Sequence, residues 1–432
     1  MVMLRPFRPL RYNAQAVGNL AAVVAPPYDV ISDAYRDTLY ARSAHNVVRL
    51  ILNRDADRYA AAAALLHEWR KSGVLLQDAQ PALCYYVEDF TLPDGAARQR
   101  AGIIAAVRLE SFDSGDIRPH ERTFARAKAD RMSLLQACRT NLSPIFGLYA
   151  DQHAALAPAR HAAASRPADI DLRDDSGERH RLWLLTDPTD IAAIREALAA
   201  ESVVIADGHH RYETALAYRD YRRADRTAPD ADDAEAPYNF ILMYLTSMSD
   251  PGLVILPTHR VLVAGLQGEP AKLAERLRRL FRLTPFAASA RAEFKAALRR
   301  SSGHFGVAVA GSEQLFLAHL DDVAGAEAYL SQLAAEVRRL DVAVLDRVIL
   351  RGLLEIDCTQ AAQAGRLTYT HDDDSALDAV QHGAQAAFLI NPPRMEDVVA
   401  VCAAGETMPE KSTYFFPKLL TGLVFHPLDA ER

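Results

Sequence analysis

From residue 57 to 72, Tyr59, Ala63, Leu65, Leu66 and Trp69 recur mainly at spacings of three and four. This is the period of an amphipathic helix, and Gly73 supplies its stop. Leu83 to Phe90 and Gly102 to Leu109 read as two strands, separated by the turn Pro93-Asp94-Gly95. Upstream, Leu20 to Val30 is a short apolar segment closed by Pro26-Pro27, the stretch to Ala41 has helical composition, and Asn46 to Leu52 predicts a strand. Glu110 to Arg131 is polar and predicts a loop leading into a helix.

Residues 151–181 are rich in Ala, Arg and Asp and read as a linker, with a strand at His180 to Leu185. A domain boundary is therefore expected near 150, dividing the chain into residues 1–150 and 151–432. Val203 to Ala206 is a compact apolar run ending in Asp207-Gly208, after which Tyr212, Ala215, Leu216 and Tyr218 form a helical stripe. That pattern is strand, turn, helix. Ala228 to Ala236 reads as a surface loop, residues 271–283 and 324–345 as Arg- and Ala-rich helices with solvated faces, and 386–390 and 398–403 as strands. Helices and strands are interspersed and no repeat of 20 to 50 residues recurs. The expected class is mixed α and β (α+β), with the sheet topology left open.

The 432 residues exceed the prior of roughly 150 per domain, and half are hydrophobic and about a quarter charged, an ordinary globular balance. Lys and Arg total 49 against 56 Asp and Glu, a net charge of −7, so no global field favours nucleic acid. Cys84, Cys138, Cys358 and Cys402 are too few and scattered for a disulfide framework, which fits a reducing cytoplasm. Arg5 and Pro6 interrupt the opening segment, and no run of about 18 uncharged apolar residues follows. Neither export nor membrane insertion is expected, and the oligomeric state is not readable.

Three clusters carry candidate chemistry. In Ala206-Asp207-Gly208-His209-His210-Arg211 a glycine permits a tight strand-to-helix turn that exposes backbone donors at a helix N-terminus, a ready anion site. Two imidazoles and a guanidinium add donors suited to phosphate oxygens. Metal ligation by Asp207, His209 and His210 is the rival reading, and a capped turn with Asp207 holding backbone amides is the structural one.

The second cluster is Arg118-Pro119-His120-Glu121-Arg122-Thr123, followed by Lys128, Asp130 and Arg131. Glu121 is the preferred general base, a carboxylate able to take the proton of an attacking hydroxyl; His120 could share that duty while Lys128 or Arg131 stabilises the transferred group. A charged loop and helix face is the plain alternative. The third cluster runs from Gly405 to Lys418, where Lys411, Ser412, Thr413 and Lys418 could surround a phosphate or carboxylate. The Walker A spacing is absent from it. Asp29, in Ala25-Pro26-Pro27-Tyr28-Asp29-Val30, is a further substrate-binding candidate within an ordered turn.

Pro26-Pro27-Tyr28-Asp29-Val30, His120-Glu121-Arg122-Thr123, Ala206 to Thr214, Leu256-Pro257-Thr258-His259-Arg260 and Glu406 to Lys418 resemble, in this order, domain-of-unknown-function family 1015. Arg122 departs from the Lys or Gly of many relatives. The Asp207 to Arg211 turn is also similar to the phosphate-binding turn of the ParB and sulfiredoxin-like fold, which includes kinases acting on free serine. The resemblance implies a ParB/sulfiredoxin-like core and a serine kinase making O-phospho-L-serine from pyrophosphate, ADP or ATP, with Asp207, His209, His210 and Arg211, together with Gly208, holding the donor phosphates. Mg²⁺ is the expected counter-ion, and small molecules are the expected partners. The alternatives are a metal-assisted phosphohydrolase, with water as nucleophile, and a ParB-like nucleotide- or DNA-binding module.

Overall fold

The computed structural model describes residues 1–121, 125–225, 230, 233–300 and 302–429, without the side chains of 125–127 and 271. The chain is mixed α and β, as its patterning predicts, and forms two compact units. The first comprises residues 1–119, 123–254 and 417–432, the second 120–122 and 255–416.

The first unit is built on a nine-stranded sheet. Leu83–Thr91 and Ala97–Arg108 form the expected antiparallel hairpin. Arg179–Leu185 and then Ile170–Arg173 extend it on one side. On the other, Phe240–Ser247 pairs antiparallel with Ala97–Arg108 and parallel with Ile145–Tyr149. Val203–Asp207 follows antiparallel, and Ile117–Pro119 runs parallel at the edge. Alternate residues Ile103, Ala105 and Val107, with Ile241, Met243 and Leu245, enter one core together with Tyr212 and Ala215 of the helix His209–Ala224. This is the period of two that strand geometry imposes. Ile104 and Ala106 are also buried on the opposite face, which makes the run read as continuously apolar.

A second core gathers Leu39, Val47, Val48, Leu66 and Trp69 from the helices Asp33–Arg42, Val48–Ile51 and Arg58–Lys71. Asp57 caps the last of these by accepting the Ala60 N–H, 3.2 Å. The helix Ala125–Cys138 packs on both Arg58–Lys71 and His209–Ala224.

Several sequence expectations are corrected here. Asn46 to Leu52 is not a strand. Asn46 Oδ1 accepts the Val48 N–H at 2.9 Å while its amide donates to the Ala22 and Val24 carbonyls, so a local cap starts a short helix whose β-branched residues are held by core burial. Residues 151–181 are no simple linker, since they hold the helix Ala157–Ala164 and the strand Ile170–Arg173. No unit boundary falls near 150, because strands from both sides of that position share the nine-stranded sheet.

The second unit contains a six-stranded antiparallel sheet in the order Phe281–Ala287, Gln314–Leu320, His304–Val309, Ala386–Leu389, His259–Leu262, Leu367–Thr370. Phe294, Leu298, Ala376 and Leu377 from two helices cover one face. Within 271–283 the 3-10 turn Pro270–Lys272 runs into the α-helix Leu273–Leu277, and Phe281 begins a strand instead. Residues 324–345 divide into the helices Val323–Leu330, Ala335–Arg338 and Asp341–Val344. Val398 to Ala403 belongs to the helix Met395–Ala403, which buries Val398, Val401 and Cys402 at helical spacing.

Among the described residues no helix is long and apolar enough to cross a membrane. Cys84, Cys138 and Cys402 are buried and Cys358 is half-buried.

Candidate functional site

The sharpest sequence motif adopts the expected strand, turn and helix. The Val203–Asp207 strand breaks register with Ile145–Tyr149 between Ile205 and Asp207. Gly208 then takes φ +93°, and the helix starts at His209. A Cβ at Gly208 would lie 2.9 Å from Ile145 Cδ1 and 3.0 Å from Arg211 Nη2, so both its conformation and its surroundings call for glycine.

Asp207 is the hub. Arg211 Nη2 donates to its Oδ2 at 2.8 Å, and Lys418 Nζ donates to its Oδ1. The three side chains are only 10–16% exposed. Burial opposes ionisation of Asp207, but Lys418 and Arg211 outweigh it and hold the carboxyl well below the usual range. One carboxylate thus organises two cations and leaves a formal surplus of positive charge beside a helix N-terminus. Arg211 is fixed further by Nη1, which donates to Ser143 Oγ at 3.0 Å and to the Pro144 carbonyl at 2.5 Å.

A cavity of about 60 Å³ is lined by Arg211, Ser143, Asn141, Thr214, Tyr28 and Arg131, among others. The Arg131 guanidinium lies 4.1 Å from the Tyr28 ring centroid and pairs with Asp130. Burial and Asp29 push the Tyr28 hydroxyl up, against the opposing pull of Arg131 and Arg211. Asp29 itself is exposed on the short 3-10 turn Tyr28–Val30. Lys128 Nζ pairs with Glu213 Oε2 at 2.6 Å. His209 is buried and His210 half-buried, with the His210 carbonyl accepting the Thr214 hydroxyl at 2.6 Å. Asp207, His209 and His210 do not form a three-ligand group, among the described residues, of the kind that could hold a metal ion.

The remaining candidates lie in the second unit. Glu121 Oε1 accepts the Lys411 backbone N–H at 3.1 Å, and the His120 carbonyl accepts the Met408 N–H at 2.8 Å. His120 is fully buried, with Nε2 2.8 Å from Thr413 Oγ1. Ser412 is buried and donates to the Pro409 carbonyl, closing a turn. Burial, with Glu121 next, pushes the Glu410 carboxyl up to about 7. Arg260 is buried too, donating to the Thr258 and Glu410 carbonyls.

Lys418 pairs with Asp207 in the first unit, whereas in the second the Lys411 N–H meets Glu121 and the Thr413 hydroxyl meets His120. Arg122 and Thr123 of the second motif lie outside the described residues. Sequence reasoning missed Ser143 and the Pro144 carbonyl, which no local pattern marks.

The DUF1015 profile, described as a protein of unknown function, matches residues 4–343. The chain belongs to this family. A search of the curated proteins finds no match. Among solved structures, a variant free serine kinase in complex with ADP is similar at 11% identity and TM-score 0.39, covering 76% of this chain and 92% of that one. A free serine kinase in complex with AMP gives 11% identity and TM-score 0.37, covering 76% and 91%. A conserved hypothetical protein from Pyrococcus furiosus gives 14% identity and TM-score 0.35, covering 73% and 92%.

Proposed function

We propose that this DUF1015 protein is a small-molecule phosphotransferase whose phosphate donor binds at the Asp207 to Arg211 turn of the first unit. The observation that carries this reading is the anchoring of Lys418 and Arg211 by one carboxylate at the start of a 16-residue helix. A preorganised, positively biased cradle suits a phosphate group and spares the cost of gathering cations when it arrives. In this reading Asp207 is a positioning residue. Arg211, Lys418 and the amides of the Gly208-His209-His210 turn meet phosphate oxygens, and the nearby Arg131 adds positive charge.

L-serine is the proposed acceptor, a choice supported by the likeness of the turn to that of free-serine kinases. Its hydroxyl oxygen forms the new bond to phosphorus as the donor's bridging P–O bond breaks, and the hydroxyl proton leaves to a base. Pyrophosphate, ADP and ATP are the donor candidates, with Mg²⁺ as counter-ion to their charge.

Phosphorus NMR of the protein with Mg²⁺ and each donor, with and without L-serine, tests the proposal. A phosphoserine signal that needs both serine and one donor is expected. Orthophosphate formed regardless of serine would replace the kinase by a hydrolase, and no conversion of any donor would overturn both.

A further inference from the structure

Outside the motifs singled out in the sequence, Asp174 and Glu178 close the hairpin between Ile170–Arg173 and Arg179–Leu185, and His180 follows on the second strand. Asp174 Oδ1 accepts the backbone N–H groups of Ser176 and Glu178, each at 3.0 Å. Its other oxygen, Oδ2, stands 3.4 Å from His180 Nε2. One donor atom from each of Asp174, Glu178 and His180 lies within 4.8 Å of the others.

The surroundings of His180 hold its ring in place. The side chain is fully buried, and its Nδ1 lies 2.6 Å from Tyr86 Oη. The Tyr86 hydroxyl has one proton, donated to Glu88 Oε1 at 3.1 Å. Arg100 Nε and Nη2 grip Glu88 Oε2 at 3.0 and 2.5 Å, with both side chains at 0% exposure. The other ring nitrogen, Nε2, points toward Asp174, 3.4 Å from its Oδ2. This nitrogen is buried without a hydrogen-bond partner among the described residues and faces the Asp174 carboxylate. A buried ring nitrogen without a hydrogen-bond partner, facing one carboxylate with a second beside it, is an arrangement that a cation would satisfy.

We propose that Asp174, Glu178 and His180 form a binding site for a divalent transition-metal ion of the zinc class. The ligand set of one imidazole and two carboxylates favours such ions over Mg²⁺ or Ca²⁺. Zn²⁺ bonds of 2.0–2.1 Å in a tetrahedron place ligand atoms about 3.3 Å apart, close to the separation of Asp174 Oδ2 and His180 Nε2. Tyr86, Glu88 and Arg100 form the outer chain that orients the imidazole, as outer partners do at histidine metal sites.

The test is isothermal titration calorimetry of chelator-stripped full-length protein with Zn²⁺, Mn²⁺ and Mg²⁺ in turn, alongside the variants Glu178→Gln, Asp174→Asn and Tyr86→Phe. Their folds are checked by circular dichroism. One equivalent of Zn²⁺ or Mn²⁺ is expected to bind the native chain, with at least tenfold weaker binding in the two ligand variants and a loss of about 10–100-fold in Tyr86→Phe. Zinc should also raise the melting temperature of the native chain but not that of Glu178→Gln. Binding that is undiminished in Glu178→Gln and Asp174→Asn would overturn the proposal, as would no binding, or binding of Mg²⁺ alone. The Glu178→Gln variant keeps the test sharp should a change at His180 disturb the core.

Discussion

Lys418 places its ammonium on Oδ1 of Asp207, 211 residues earlier in the chain. The same carboxylate takes Arg211, one helical turn away, on Oδ2. The pairing joins a C-terminal segment to the strand-to-helix turn within the first unit.

Asp207→Asn strands two nearly buried cations and is expected to cost about 3 kcal/mol, as breaking a buried pair does. Urea unfolding of the two proteins at neutral pH measures it. A change below about 1 kcal/mol would mean that water already solvates the pair.

Acid should act through the same residue. Its folded-state pKa is depressed, so its stabilising contribution is complete above the unfolded value of about 3.9 and is lost as pH falls below that value toward the depressed folded one. Asp207→Asn should therefore flatten the fall in stability below about pH 4. Parallel stability curves for the two proteins in that range would contradict this assignment.

Arg211→Lys keeps the charge but loses the fork that reaches Asp207, Ser143 and Pro144 together. Pyrophosphate binding by calorimetry is expected to weaken by about tenfold, the equivalent of one charge-assisted hydrogen bond. Equal affinity in the two proteins would remove Arg211 from the donor site.

Gly208→Ala requires a side chain at φ +93° and 2.9 Å from Ile145. The expected cost is about 1–3 kcal/mol, the range for a strained backbone position, together with weaker anion binding as Arg211 is displaced. Denaturation midpoints and the same calorimetric titration read the two effects separately.

In the second unit, Glu410 is raised to about 7 by burial and by Glu121. Between its ordinary value of about 4.5 and 7 the folded protein holds a proton that the unfolded chain releases, so stability falls as pH rises through this window. Glu410→Gln should abolish that fall, a difference visible in melting temperatures taken across the window.

The chain by itself determined the elements whose signal is local. The helix after Asp57, the hairpin around Pro93-Asp94-Gly95 and the turn at Asp207-Gly208 each combine a period with a breaker or cap, and each is found in the structure. The motifs at 26–30, 120–123, 206–214 and 256–260 likewise lie within the residues that the family profile matches. Tertiary structure decided what depends on distant partners. Asn46 starts a helix because the Ala22 and Val24 carbonyls anchor its amide, and residue 150 lies within one unit because strands far apart in sequence pair across it. Lys418 finds Asp207, and His180 is held beside Tyr86, Glu88 and Arg100. Periodicity records which face of an element is buried, whereas the partner of a buried charge is chosen by three-dimensional proximity, because an unpaired charge there is too costly to leave.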